Sequence, residues 1–123
     1  MDLSNLNKLE YLFRSLHEVQ KIEGINKSKI DKRYSMIEMF KGCNELKYIN
    51  LTNIDTLNEY NMKGLFRRCY KLKEIKGINT LNTFKVENMR EMFEDCEELK
   101  NLDLSIDTSN AVLMKECSKI DTI

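Results

Sequence analysis

Four cysteines and one histidine are the side chains of this 123-residue sequence best suited to metal or nucleophilic chemistry, and their spacing limits what they can do. Cys43, Cys69 and Cys96 lie 26 and 27 residues apart, with Cys117 beyond them. A tetrahedral metal site needs converging ligands and usually a close pair such as C-x₂-C. Cysteines recurring at one interval belong instead to a single column of a repeat, stacked in a row about 5 Å apart. A row is poor metal geometry. Disulfides between adjacent units are sterically open to such a row. Leu16, however, falls in the same column, so the position wants a small or medium hydrophobe. Buried free thiols are therefore expected, with no metal and no cofactor.

The remaining chemistry-bearing residues read the same way. His17 stands one place after a core column and should be exposed, with no second titratable group tied to it by sequence. The acidic run "FEDCEEL" reads as the solvent side of a helix and the turn after it, and paired-carboxylate catalysis would require a cleft. Gly24, Gly42, Gly64 and Gly77 are scattered, so no phosphate-cradling loop is present. Most methionines fall in repeat columns and fill core. The expectation is a protein without catalysis.

The elements that would position these residues come from repetition. "SMIEMFKGCNELKYINL" from Ser35, "NMKGLFRRCYKLKEIKGI" from Asn61 and "NMREMFEDCEELKNLDL" from Asn88 align column by column. "LEYLFRSLHEVQKIEGI" places Leu9, Leu12, Phe13, Leu16, Val19 and Ile22 in the same columns, and "LMKECSKIDTI" is a shortened copy around Cys117. Turn elements "IDTLN", "INTLN" and "IDTSN" follow at Ile54, Ile78 and Ile106. Ser35, Asn61 and Asn88 suit helix caps, and Glu38 and Glu91 complete candidate capping boxes three residues on. The Met, Met-Phe and Cys columns recur at helical spacing. Leu46-x-x-Ile49-x-Leu51 and Leu99-x-x-Leu102-x-Leu104 then alternate, as a short strand does.

The pattern predicts an α/β repeat: a leucine-rich-repeat-type solenoid of about four helix-turn-strand units with a short parallel sheet. Residues 1–34 form a degenerate N-terminal capping unit, 35–60, 61–87 and 88–110 full repeats, and 111–123 a truncated last unit. With no proline and four glycines, no linker divides this single domain.

These residues carry a resemblance. "MFKGCNELKYINL", "NMREMFEDCEELKNLDL" and "IDTSN" resemble the BspA-like leucine-rich repeats of bacterial surface proteins, over about Ser35 to Asn110. The resemblance implies a curved helix/strand solenoid that binds other proteins or host molecules, without catalysis.

Charge narrows the partner. Twenty basic residues balance twenty acidic ones, which argues against nucleic acid and anionic membranes. No run approaches the ~18 apolar residues of a membrane span, so no membrane insertion is expected. The opening "MDLSNLNKLEYLF" does not read as a signal peptide. That absence and free thiols favour a cytoplasmic location; a fragment of a longer family member would belong at the cell surface. Arg67 and Arg68 align with Glu94 and Asp95, and Glu45, Lys71 and Glu98 share a column, so neighbouring units meet with alternating sign. The alternative is a basic patch of Lys63, Arg67, Arg68, Lys71 and Lys73, which the acidic neighbours should neutralise.

The outward strand positions form two rows: Lys21, Tyr48, Glu74 and Asn101, then Glu23, Asn50, Lys76 and Asp103. Tyr48, Asn50, Glu74, Lys76, Asn101 and Asp103 are the expected partner-binding residues, a polar face of mixed charge suited to a protein surface. Tyr48, a rigid amphipathic ring mid-face, is the expected anchor. The competing expectation is a structural fragment or small subunit of a larger assembly, joined end to end through its open ends.

Overall fold

In the computed structural model, which describes residues 2–3, 6, 8–26, 34–56, 58–83, 85–102 and 121–122, each repeat lies parallel to the next. The strands are short: β1 (Lys21–Ile22), β2 (Tyr34–Ser35), β3 (Tyr48–Asn50), β4 (Glu59–Asn61), β5 (Glu74–Lys76), β6 (Asn101–Leu102) and β7 (Asp121–Thr122). β1, β3 and β5 form a three-stranded parallel sheet with Lys21 beside Tyr48 and Tyr48 beside Glu74. β2 pairs with β4, and β6 with β7, both parallel. The alternation read from the sequence holds here, since Ile49 and Ile75 are buried between outward neighbours.

The helix-turn-strand unit is not what forms. Among the described residues there is no α-helix, only a single 3₁₀ turn at Ile78–Thr80. The segments expected to be helical are runs of turns bonded to the next repeat. Glu38, Phe40 and Gly42 donate their N–H groups to the carbonyls of Lys63, Leu65 and Arg67, at 2.9, 3.0 and 2.8 Å. The intervening Met39, Lys41 and Cys43 donate to carbonyls three residues back.

Two columns explain why the backbone cannot be helical. Tyr11, Glu38, Gly64 and Glu91 have φ of 61, 51, 61 and 58°. Ser15, Gly42, Arg68 and Asp95 have φ of 62, 75, 61 and 59°. A left-handed residue every fourth position turns the chain out of the right-handed helix, as the third residue of a type II turn does. Each non-glycine among them costs on the order of 1 kcal/mol. The cross-repeat hydrogen bonds offset that cost and satisfy N–H groups that a helix would satisfy internally.

The burial pattern still imitates a helix. Met36, Met39, Phe40, Cys43 and Leu46 are fully buried, and the residues between them are not. Apolar spacing records which side faces the core, and a coil of consecutive turns buries the same columns. The predicted caps act on turns instead: the Asn61 and Asn88 side chains accept from the N–H groups of Lys63 and Arg90, at 3.0 and 2.9 Å. Ser35 Oγ accepts from Ile37 N–H. Glu38 and Glu91 make no capping box; their carboxylates pair with Arg14, Lys41 and Arg67.

Stacking builds one continuous core. Phe13, Phe40, Phe66 and Phe93 form a ladder with ring centroids 5.5, 5.4 and 5.9 Å apart and planes within 9°, a spacing at which aromatic pairs attract. The first unit departs from the expectation. Leu12 and Leu16, aligned with buried Met39 and Cys43, are each 39% exposed. The turn motifs also slip: Thr56 Oγ1 bonds to the backbone of Asn82, not to the aligned Thr80.

Candidate functional site

The expected partner-binding face is built in part. Tyr48 sits centrally in the β1–β3–β5 sheet, with Lys21 Nζ 5.3 Å from its ring centroid. Lys21 also pairs with Glu23 at 3.2 Å, which ties the two rows together. Glu74 and Lys76 are exposed and Tyr48 is half-buried. Asn50 is half-buried and engaged locally: its Oδ1 accepts from Thr52 N–H at 3.0 Å and from the Thr52 hydroxyl at 2.7 Å. The backbone of Asn101 pairs with Asp121 in β7. Asp103, Leu104, the "IDTSN" turn and Cys117 lie outside the described residues.

The cysteines form a buried row. Cys43, Cys69 and Cys96 are free, and each thiol donates to a carbonyl of the preceding unit, Phe13, Phe40 and Phe66, at 3.1 Å. Contact with Cys43 and burial push the Cys69 thiol well above the usual range, while contact with Cys69 lowers Cys43. A buried thiol raised as Cys69 is makes a poor nucleophile.

Charge columns meet in part as aligned. Lys71 reaches Glu45 at 2.8 Å, while Glu98 pairs with Lys73 at 3.5 Å. Arg67 lies between Glu94 and Glu91, as an ion pair rather than through aligned hydrogen bonds. Arg68 is held more loosely, 3.9 Å from Asp95. The alternative basic patch is thus largely neutralised by its neighbours.

Two features were missed by sequence reasoning. The first is Glu59, fully buried where β2 and β4 shift register. Its Oε1 accepts from Met36 N–H at 3.2 Å and Asn61 N–H at 2.7 Å, while Oε2 is buried without a partner. Burial pushes this carboxyl up to about 8, despite backbone donors that favour the charged form. Tyr34 lies nearby, its hydroxyl donating to the Asp55 carbonyl. Burial, Glu59 and Asp55 raise it. A signal existed in the alignment, since Glu59 falls 27 residues before Val86 in an apolar column.

The second is a notch of about 230 Å³ in the turn runs, spanning three units and lined by Arg14, His17, Lys41, Gly42, Asn44 and Arg68. Gly42 is the member of its left-handed column without a side chain. The Asn44 amide, oriented by its neighbours, accepts from His17 Nδ1 at 3.1 Å and donates to the carbonyls of Gly42 and Arg68. That lone glycine among Ser15, Arg68 and Asp95 was the available signal.

No curated protein and no solved structure matches the chain. Its residues 3–120 match a family described as Mycoplasma protein of unknown function, DUF285. The repeats that build both surfaces span nearly all of that match, and the chain belongs to the DUF285 family.

Proposed function

We propose that this chain is a non-catalytic interaction module that presents the β1–β3–β5 face to a protein partner. The observation that carries the reading is the outward row at the sheet, with half-buried Tyr48 between exposed Lys21 and Glu74. Rigid aromatic rings flanked by charges are frequent energetic centres of protein interfaces. The finer kinship, to BspA-like leucine-rich repeats, belongs to the same proposal and rests on the repeated Asn-Met, Met-Phe, Cys and Leu-x-Leu columns. Tyr48→Ala and Lys76→Glu should each remove one partner captured by the wild type, with the melting temperature nearly unchanged. Lys85→Glu, away from this sheet, should retain it. Capture of the same partner by all three variants would place binding elsewhere.

A second reading has its own support. Leu12 and Leu16 of the first described unit are each 39% exposed. Apolar columns that stack elsewhere in the chain are open there, which favours end-to-end association within an assembly. Sedimentation over a range of concentrations decides it. Association weakened by Leu12→Glu supports the second reading, and a monomer throughout removes it.

A further inference from the structure

We propose that the notch above Gly42 binds a phosphate-class oxyanion, held by Arg14, Lys41 and Arg68. These three cations come from three successive units and line one cavity. None of the described residues lining it is a carboxylate. Two of the cations share a single counter-charge outside the cavity: Glu38 lies 3.5 Å from Arg14 and 3.0 Å from Lys41. Arg68 has Asp95 only at 3.9 Å, with both side chains about half exposed. Positive charge at this place therefore exceeds its compensation, unlike at Arg67, which two carboxylates face.

The floor of the notch is backbone. Ser15, Arg68 and Asp95 carry side chains in this column, and a Cβ at Gly42 would stand 3.2 Å from Ser15 Oγ. His17 belongs to the wall, where its Nδ1 donates to the Asn44 amide oxygen and holds that side chain in place. A planar carboxylate is saturated by one guanidinium fork. Cations reaching in from three units match the several oxygens of a tetrahedral anion better. At 230 Å³ the cavity exceeds the ~30 Å³ share of one water several-fold. It is smaller than the ~300 Å³ of the smallest drug-sized pockets. It suits a small phosphate group, free or as the head of an ester lying against Tyr70, which also lines the wall.

The test is a titration of the full chain followed by amide NMR, using inorganic phosphate, phenyl phosphate and, at matched ionic strength, sodium chloride. Saturable shifts at Gly42, Asn44 and Arg68 with phosphate but not chloride are expected. Arg14→Gln and Arg68→Gln, both at half-exposed positions, should each weaken binding about tenfold, the effect of losing one charge-assisted contact. Lys73→Gln should leave it unchanged. Tighter binding of phenyl phosphate identifies an ester as the source, and equal binding identifies the free anion. A response indistinguishable from chloride overturns the proposal, as does equal weakening by Lys73→Gln.

Discussion

Glu59→Gln should abolish a pH dependence that the wild-type fold carries. The Glu59 carboxyl is held near 8 in the folded chain, against an ordinary value of 4.5. At 1.36 kcal/mol per pH unit, that interval corresponds to on the order of 5 kcal/mol. The sign follows from where the proton sits. Below 4.5 both folded and unfolded chains hold it. Between 4.5 and about 8 the unfolded chain releases it while the folded chain keeps it, so folding stability falls as pH rises. Above about 8 both are ionised and the dependence ends. Glu10 repels the ionised form and adds to the effect of burial. Glutamine retains an oxygen for the Met36 and Asn61 N–H groups and cannot ionise. Urea unfolding from acid to mildly alkaline pH measures both proteins, and their difference isolates Glu59 from the other carboxylates. The difference should change by several kcal/mol across the window. Parallel curves for wild type and variant would refute the reasoning.

Other perturbations test the stack. Phe66→Ala removes the ring between Phe40 and Phe93 and should cost about 3–5 kcal/mol in chemical denaturation. Native thiol titration should find Cys43, Cys69 and Cys96 slow to react, and Cys69→Ser should destabilise by about 1–3 kcal/mol. Lys71→Glu places a second carboxylate against Glu45 and should cost ~0.2–1 kcal/mol, more at low salt than at high, in thermal melts. Restoring opposite sign with Glu45→Lys should recover most of that loss.

What the sequence made legible was the side each residue faces and the unit that repeats. Cys43, Cys69 and Cys96 do stack, Ile49 and Ile75 do alternate inward, and Lys71 does meet Glu45. The conformation between these points was not legible. Met36, Met39, Phe40 and Cys43 have the spacing of a helix face, yet Glu38 and Gly42 are left-handed. Spacing cannot distinguish an N–H bonded four residues back from one bonded to the next repeat, because both bury the same columns. Leu12 and Leu16 look like core by alignment and are exposed because burial depends on a neighbouring unit. At the expected face, the alternation gives the side on which Asn50 stands but not the bonds of its amide oxygen to Thr52. Glu59 and the Gly42 notch escaped because each breaks its column, and a repeat reading averages such departures away.

Hydrogen bonds between repeats, not within a helix, hold the turn runs. Scalar couplings across hydrogen bonds, measured by NMR on the isotope-labelled chain, test this most directly. Couplings from the Phe40 amide to the Leu65 carbonyl and from the Gly42 amide to the Arg67 carbonyl are expected. Couplings from Phe40 to the Met36 carbonyl and from Gly42 to the Glu38 carbonyl, the pattern of an α-helix, would contradict it.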